Sequence, residues 1–250
     1  MTMLGIIGGS GLTQFAELRI LRQEPLPPPL LIKTPYGEPS APLTLGMVRE
    51  QRVVFLPRHG SDHSIPPHRI NFRANLWALR EAGVREVIGV AAVGGIRDDL
   101  GPGILAVPDQ IIDYTYGRSH TYFDGEPAPV THIDFTHPYS ARLRQRLIDA
   151  ALAIGQPLVT RGTQGVTQGP RLETAHEVRR LERDGCDLVG MTGMPEAALA
   201  RELGLEYACC ALVVNWAAGK AGQQEVSLAD IQAELDRGMG KIRALLAALM

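Results

Sequence analysis

The sequence has few cysteines, few aromatic residues and no large excess of charge. Three of the 250 residues are cysteine, and Phe, Trp and Tyr together make up 5%. Twenty-five basic residues against 27 acidic residues leave a formal charge of −2. No apolar run reaches the roughly 18 residues that a membrane-spanning helix needs. These absences argue against a disulfide scaffold, a membrane span and the basic surface typical of proteins that bind nucleic acid.

The three cysteines, Cys186, Cys209 and Cys210, lie in the apolar segments GCDLVG and YACCALVV. They form no CxxC pair and show no zinc-type spacing, so buried free thiols are the favoured interpretation. The opening segment MTMLGIIGGSGL lacks the cationic leader of a secretory signal. Both features indicate a reducing compartment, and we expect a cytoplasmic protein.

Short apolar runs alternate with segments of helical periodicity along the whole chain. The alternation predicts an α/β fold in which residues 1–250 form a single domain with a mixed central β-sheet flanked by helices. The Pro-rich segment EPLPPPL, residues 24–30, is predicted to be an ordered surface loop. The predicted strands are residues 4–8, 42–48, 52–57, 86–93, 104–112, 158–166, 186–191 and 207–216. The predicted helices are residues 70–83, 139–155, 174–184, 195–204 and a long C-terminal helix that begins after Ser227.

Functional residues are expected just after the strands, because binding sites of open α/β sheets gather at the carboxyl ends of their strands. The first run is followed by GGSGL, where Ser10 adds a hydroxyl to a glycine turn that can cradle a phosphate. This turn matches neither the dinucleotide fingerprint nor a P-loop. A plain connection between two elements therefore remains an alternative.

Arg58 and His59 follow the third apolar run directly. A guanidinium offers a planar fork of donors, and the adjacent imidazole offers another, so the pair suits an anion. A metal site is the competing interpretation, since His63 lies four residues further on. The Pro-rich chain after it and the lack of an accompanying acidic set argue against a metal, and His63 and His68 are as easily explained as structural residues of a turn.

Two further segments suit a phosphate-bearing ligand. Small residues at Ala91 and Ala92, before a strand end at Gly94–Gly95, let a ligand approach the backbone closely. Met191 and Thr192 end another strand and precede a helix, where a hydroxyl and the helix N-terminus can bind an anion together.

Taken in order, these motifs resemble the purine nucleoside phosphorylase family, and most closely its 5′-methylthioadenosine phosphorylase branch. The resemblance runs from residue 4 to about residue 245, and its specificity comes from the joint occurrence of the motifs. The matching segments are GIIGGSGL, TPYGEPS, RHG with INFRANLWALREAGV, VGGI, VPDQIIDYT, GPRLET, DLVGMTGMPEAALARELG and the stretch around Asn215.

The resemblance implies phosphorolysis, in which inorganic phosphate attacks C1′ of a purine nucleoside and releases the free base. It implies no metal and no organic cofactor, phosphate being a co-substrate, and a homotrimer. It assigns catalysis to Asn215, Arg58 and His59, and phosphate binding to Ser10, Arg58, His59, Ala91, Ala92 and Thr192. It assigns substrate contacts to Met191, Leu172, Trp216, Ala217 and Asn215, with His132 reaching the neighbouring subunit's site. Ala91 stands where the family has a threonine, which removes one hydroxyl contact. Arg58 and Thr192 are expected to be required for catalysis and not for folding.

The base-reading residues depart from the methylthioadenosine branch. That branch carries two aspartates where this chain has Asn215 and Ala217, and Asn at the first position resembles the enzymes that cleave 6-oxopurines. Glu173, in GPRLET, stands where those enzymes place a carboxylate that accepts the N1–H of the base. Hypoxanthine has a donor at N1 whereas adenine has an acceptor there, so a carboxylate favours the 6-oxopurine.

The residues expected near the 5′ position of the sugar resemble those of the methylthioadenosine branch instead. Enzymes that cleave inosine place a histidine near the start of the last helix, whereas this chain has Val226, Leu228 and Ile231 there. An apolar wall favours a methylthio group and leaves a 5′-hydroxyl without a partner. We take Leu228 as a specificity residue, although helix core is an alternative.

The substrate that satisfies both ends is 5′-methylthioinosine. A general 6-oxopurine nucleoside phosphorylase, a methylthioadenosine phosphorylase and a non-catalytic nucleoside-binding protein on the same fold are the alternatives.

Overall fold

A computed structural model describes residues 3–12, 29–125, 129–222 and 225–250. Most of the Pro-rich segment, residues 24–28, lies outside the described residues, and Leu30 forms an isolated antiparallel bridge with Leu43. Within the described residues the chain forms ten strands and five α-helices, and no helix there has the length and apolar character needed to cross a membrane.

The strands form one mixed sheet, which contains both parallel and antiparallel pairs. They are β1 (Met3–Gly8), β2 (Thr44–Val48), β3 (Gln51–Pro57), β4 (Val84–Gly95), β5 (Leu105–Ala106), β6 (Gln110–Asp113), β7 (Leu158–Val159), β8 (Thr163–Val166), β9 (Leu188–Gly190) and β10 (Glu206–Trp216).

Strand β4 is the centre of the sheet. It pairs in parallel with β1 on one side and with β10 on the other. Strand β1 continues to β3 in parallel and then to β2 at the edge, while β10 continues to β5 and β7. At Gly94 and Gly95 the end of β4 also pairs antiparallel with β9, which leads through β8 to β6. The sheet therefore branches at the carboxyl end of β4.

The helices begin where polar side chains cap them. Asn71, Ser140 and Ser227 each accept a hydrogen bond from a backbone N–H of the following turn, and Thr174 forms a capping box with Glu177. The helices are α1 (Phe72–Glu81), α2 (Ala141–Ala153), α3 (Ala175–Arg183), α4 (Gly193–Glu202) and α5 (Leu228–Leu249), and a 3₁₀ turn covers Pro67–Arg69.

The helices cover both faces of the sheet. Apolar residues of α2 and α5 pack with one face of β1, β3, β4 and β10, whereas those of α1 and α4 pack with the other. Helix α3 packs against a third, smaller cluster beside β9. Helix α5 lies close to β10 at Gly238, where a Cβ atom would lie 2.4 Å from the side chain of Leu212. The sequence-based prediction of a mixed sheet flanked by helices is confirmed.

The predicted elements differ from the observed ones mainly where one apolar run contains two strands. Residues 104–112 form β5 and β6, separated by Val107–Pro108–Asp109, because proline cannot donate to a strand ladder. Residues 158–166 form β7 and β8, separated at residues 160–162. All three cysteines are free and buried.

Candidate active site

A cleft lies at the carboxyl ends of β1, β3, β4 and β10, which run parallel and therefore end at the same edge of the sheet. Most of the residues singled out from the sequence line it. The lining consists of Gly9, Ser10, Arg58, His59, Pro67, residues 91–94, Leu172, Glu173, residues 189–192, Val214, Asn215, Ala217, Ala218, Val226 and Ile231.

The glycine turn after β1 is packed tightly against its neighbours. The Leu12 N–H donates to the Gly9 carbonyl at 3.1 Å and closes the turn. A Cβ atom on Gly9 would lie 2.6 Å from the Val90 carbonyl oxygen and 2.7 Å from Arg58 Nη1. Only glycine therefore allows the chain to lie between β4 and Arg58, and the next residue, Ser10, lines the cleft.

Arg58 forms a buried ion pair with Glu196 of α4. Its Nε and Nη2 donate to the two carboxylate oxygens at 3.0 and 2.8 Å, and its Nη1 donates to the Val90 carbonyl. The side chains of Arg58 and Glu196 are 1% and 0% exposed. Burial alone would lower the pKa of Arg58, but the Glu196 carboxylate more than offsets it and holds the pKa above its ordinary value. Tyr207 also donates to Glu196 at 2.7 Å.

This pair changes what was expected of Arg58. The sequence predicts a side chain that binds an anion and is dispensable for folding. In the structure, however, the Nε and Nη2 edge of the guanidinium is already hydrogen-bonded to Glu196. Since removing one partner leaves a buried, uncompensated charge, Arg58 contributes to folding as well as to the cleft. Its charge is cancelled locally, so it offers an anion an N–H donor and little net attraction.

His59 lies beside Arg58 and is neutral at neutral pH. Burial, and next the charge of Arg58, lower the pKa of His59 to about 4. The ring nitrogen Nδ1 lies 2.8 Å from the Ile65 carbonyl oxygen, which can only accept, so Nδ1 carries the proton and Nε2 is left as an acceptor. The expectation that His59 donates to an anion is therefore replaced by an acceptor role.

His63 lies next to both His59 and Ser10, although it is not among the residues that line the cleft. The ring centroids of His59 and His63 are 4.6 Å apart, and His63 Nε2 lies 3.5 Å from Ser10 Oγ. In the ranges that the structure describes, no group of three or more His, Cys, Asp or Glu residues is placed to hold a metal ion.

The next wall comes from the ends of β4 and β9. Ala91 and Ala92 line the cleft from β4, and Met191 and Thr192 line it directly after β9. Thr192 is 7% exposed. The backbone of Met194 is extended (φ −118°, ψ 138°), so regular helical turns of α4 begin beyond it. The anion-binding helix N-terminus expected directly after Thr192 is consequently displaced toward Pro195.

Glu173 supplies a carboxylate to the lining of the cleft. Its Oε1 accepts a hydrogen bond from Thr167 Oγ1 at 2.5 Å, which fixes the carboxylate and leaves its other oxygen for a further partner. Leu172, which is 38% exposed, lies beside it in the lining.

Asn215 enters the cleft because β10 contains a bulge. The register of β10 on β4 shifts between Val213 and Asn215, and a bulge of this kind re-aims the side chains that follow. Asn215 Nδ2 donates to the Trp216 carbonyl at 2.6 Å, which leaves one N–H and the amide oxygen for a ligand. Ala217 is 3% exposed and lines the cleft without a polar group.

The start of α5 supplies an apolar wall, but not through Leu228. Val226 and Ile231 line the cleft, whereas Leu228 is 73% exposed and lies outside the lining. The first three residues of α5, residues 228–230, are all exposed, and burial along this helix begins at Ile231. Trp216 and His132 also lie outside the lining: Trp216 packs near Gly101, and His132 is exposed.

Sequence reasoning missed two residues that organise the cleft, Glu196 and Arg118. A carboxylate within the apolar stretch MPEAALA is a signal that could have revealed Glu196, since such a residue is buried only when it is paired. Arg118 lies in the loop GRSHTY, where nothing in the local pattern distinguishes it from a surface arginine.

Comparisons with known proteins agree with this geometry. Residues 3–250 match the model of the Phosphorylase superfamily. The chain is 52% identical over 250 residues to the probable S-methyl-5′-thioinosine phosphorylase of Pseudomonas syringae pv. tomato, covering 100% of this chain and 99% of that relative. It is 44% identical over 255 residues to the 6-oxopurine nucleoside phosphorylase of Pyrococcus furiosus, covering 100% of this chain and 92% of that relative. It is similar in structure to methylthioadenosine phosphorylase from Schistosoma mansoni in complex with adenine, with a TM-score of 0.92 and 31% identity over 100% of this chain and 91% of that chain.

The buried pair predicts an asymmetric effect of substitution. Arg58→Met should lower the free energy of unfolding by about 3–5 kcal/mol, because Glu196 is left charged and unpaired. The double variant Arg58→Met with Glu196→Met should recover most of that loss. Urea unfolding followed by circular dichroism measures both; equal destabilisation of the single and double variants would contradict the role assigned to the pair.

His59 should titrate well below an ordinary histidine. Its ring should remain neutral down to a pH of about 4, as followed by the imidazole proton resonances, with His59→Asn identifying the signal. Because the unfolded chain binds this proton more readily than the folded one, His59 should make stability fall as the pH is lowered from about 6.5 toward about 4. A His59 resonance that titrates near 6.5 would contradict its burial beside Arg58.

Proposed function

The chain belongs to the Phosphorylase superfamily, and on that premise we propose that it cleaves S-methyl-5′-thioinosine with inorganic phosphate. The products are hypoxanthine and 5-methylthioribose 1-phosphate. One observation carries the proposal: a single cleft is lined both by Glu173, Asn215 and Ala217 and by the apolar Val226 and Ile231.

Phosphate occupies the end of the cleft formed by Ser10, Arg58, His59, Ala91, Ala92 and Thr192. The hydroxyls of Ser10 and Thr192 donate to phosphate oxygens, as does an N–H of Arg58. His59 Nε2 accepts from the P–OH of hydrogen phosphate, in agreement with its neutral state. Because Glu196 cancels the charge of Arg58, the bound anion keeps most of its own charge. That charge faces the cationic sugar that develops as the bond to the base breaks.

The base is read by Glu173 and Asn215. The free oxygen of Glu173 accepts the N1–H of hypoxanthine, while Thr167 holds the other oxygen. The remaining N–H of Asn215 donates to O6 or N7 and stabilises the leaving purine. Ala217 offers no carboxylate for a 6-amino group, so adenine would leave polar groups unpaired on both sides.

The sugar lies between Met191 and the start of α5. Met191 packs along the ribose, and Val226 and Ile231 surround the 5′ substituent. A methylthio group loses little free energy when it packs against these apolar side chains, whereas a hydroxyl loses its hydrogen bonds to water.

A general 6-oxopurine nucleoside phosphorylase is the second candidate, and it is favoured by the similarity to the Pyrococcus relative of that name. An enzyme with this activity would use Glu173 and Asn215 to read the base in the same way and would differ only in accepting a 5′-hydroxyl. The apolar wall favours methylthioinosine over this alternative.

The remaining features follow from the same proposal. We place residues 1–250 in one catalytic domain that needs no metal and no organic cofactor, and we place it in the cytoplasm as a homotrimer. The exposed His132 and Leu172 are then available to a neighbouring subunit, with His132 closing the 5′ end of the next site. Three free, buried cysteines agree with a reducing compartment.

Base choice is tested by comparing nucleosides in the presence of phosphate. We expect methylthioinosine to be cleaved faster than methylthioadenosine, and Glu173→Gln to lower kcat/KM for methylthioinosine by roughly 10- to 100-fold, since a charged acceptor is lost. Glu81→Gln, on the exposed end of α1, is the matched control and should behave as wild type. Faster cleavage of methylthioadenosine than of methylthioinosine by the wild-type protein would overturn the proposal.

The sugar end is tested on methylthioinosine against inosine. Burial of the methylthio group and desolvation of the hydroxyl together predict a preference of roughly 30-fold to several thousand-fold in kcat/KM. Ile231→His should reduce this ratio about tenfold by offering the hydroxyl a partner, whereas Leu228→His should leave it unchanged because Leu228 is 73% exposed. Equal kcat/KM values for the two nucleosides would favour the general 6-oxopurine phosphorylase instead.

A further inference from the structure

Arg118 joins two segments of the cleft from behind. It is 9% exposed and does not line the cleft. Its Nη1 donates to the carbonyls of Met191 and Met194 at 2.8 and 2.6 Å. Its Nη2 donates to the carbonyls of Thr167 and Gln168 at 3.2 and 2.8 Å, and its Nε donates to Gln168 Oε1 at 3.2 Å. A guanidinium has five N–H groups, and these five contacts use all of them.

The partners of Arg118 are carbonyl oxygens, and no carboxylate is among its hydrogen-bond partners in the described residues. Burial lowers the pKa of its guanidinium to about 10, opposed by the charge of Asp113, so Arg118 remains charged at neutral pH. The ring of Phe72 lies 5.5 Å from the guanidinium carbon. A buried cation without an anionic partner is costly unless its donors are well satisfied. The five contacts therefore constrain the two segments strongly.

Both segments supply residues that line the cleft, Glu173 from one and Met191 and Thr192 from the other. Thr167, whose carbonyl Arg118 holds, donates through its hydroxyl to Glu173 at 2.5 Å. Met191, whose carbonyl Arg118 also holds, lines the cleft and is followed by Thr192. The parallel pairing of β8 with β9 and the Thr167 N–H, which donates to the Gly190 carbonyl at 2.9 Å, already join the two segments at their near ends. Arg118 adds a side-chain link beyond that pairing, between the carbonyls of residues 167–168 and those of Met191 and Met194.

We propose that Arg118 is a positioning residue that fixes the distance between the base-reading segment, residues 167–173, and the phosphate-binding segment, residues 191–194. The inference rests on the proposed function and deepens it, because phosphorolysis requires the base and the phosphate to be held at the same time on either side of the sugar. A displacement of about 1 Å in such a site lowers the rate roughly 100-fold. Loss of the link also frees Glu173 and so weakens the choice of base.

Arg118→Lys is the principal variant. Lysine keeps the charge, but its single ammonium has three donors and cannot span carbonyls of two segments in the planar arrangement of a guanidinium. Arg118→Gln is the second variant, since it retains an amide that can bond to one segment only.

Arg144 supplies a matched control. Its guanidinium also donates to backbone carbonyls, those of Pro108, Val107 and Thr160, at 2.8, 3.3 and 2.5 Å. Burial lowers its pKa as well. None of its partners lines the cleft, so Arg144→Lys measures the effect of losing a carbonyl-binding arginine on stability alone.

The experiment measures kcat and KM for methylthioinosine and methylthioadenosine, together with thermal unfolding, for wild type and the three variants. We expect Arg118→Lys to lower kcat/KM for methylthioinosine roughly 10- to 100-fold and to reduce the preference over methylthioadenosine about fivefold or more. Arg144→Lys should change both quantities less than about twofold.

Three results would overturn the inference. The first is a variant at Arg118 that keeps both kcat/KM and the base preference near the wild-type values. The second is a loss of activity in the Arg118 variants that Arg144→Lys reproduces at a similar melting temperature. A loss of activity in the Arg118 variants that leaves the base preference unchanged would count equally against it. The third is failure of both Arg118 variants to fold, which would make the residue structural. The proposed function fails separately, if wild-type protein releases no purine from methylthioinosine with phosphate.

Discussion

The parallel pairing of β1, β3, β4 and β10 is the constraint on which the cleft depends. Parallel strands bring their carboxyl ends to one edge, so residues that are far apart in the sequence, such as Ser10, Arg58 and Asn215, meet there without any local signal that they should. Strand β4 also pairs with β9 at Gly94 and Gly95, which brings Met191 and Thr192 to the same edge from the second branch. A Cβ atom on Gly94 would lie 3.3 Å from the Val189 side chain of β9, and one on Gly95 would lie 1.8 Å from the Leu100 carbonyl oxygen, so glycine at both positions allows the close packing at this junction.

The end of the cleft proposed for phosphate is polar but carries little net charge. Arg58 is matched by Glu196, and His59 is neutral. A phosphorylase benefits from this arrangement, because a phosphate held by dipoles keeps the charge that stabilises a cationic sugar. An unpaired cation in contact with the phosphate would bind it more tightly in the ground state, and less additional stabilisation would then be gained in the transition state.

The sequence was sufficient for the fold class and for most residues of the cleft. Strand bounds failed mainly where Pro108 and residues 160–162 divide two continuous apolar runs, since hydrophobicity does not report a broken ladder; elsewhere the predicted strand ends differ from the observed ones by about one or two residues. Of the three apolar residues that the sequence offers near the start of α5, Val226 and Ile231 line the cleft. Leu228, the one singled out as a specificity residue, lies in the exposed first turn of the helix, and the sequence pattern alone does not show where burial of a helix begins. The apolar surroundings of Glu196 mark it as a paired carboxylate, but they do not identify Arg58 as its partner. Arg118 could not be inferred, because its role arises from long-range contacts with residues 167–194.

The hydrogen bond from His59 to the Ile65 carbonyl has a consequence for the choice among oxyanions. It leaves His59 Nε2 with a lone pair, and in the proposed phosphate site that lone pair needs a proton from the ligand. Hydrogen phosphate carries such a proton at neutral pH, whereas the sulfate dianion of the same shape does not. Sulfate would place an oxygen lone pair against the imidazole lone pair, and the arrangement thus discriminates between two tetrahedral dianions of nearly equal size by their protonation alone.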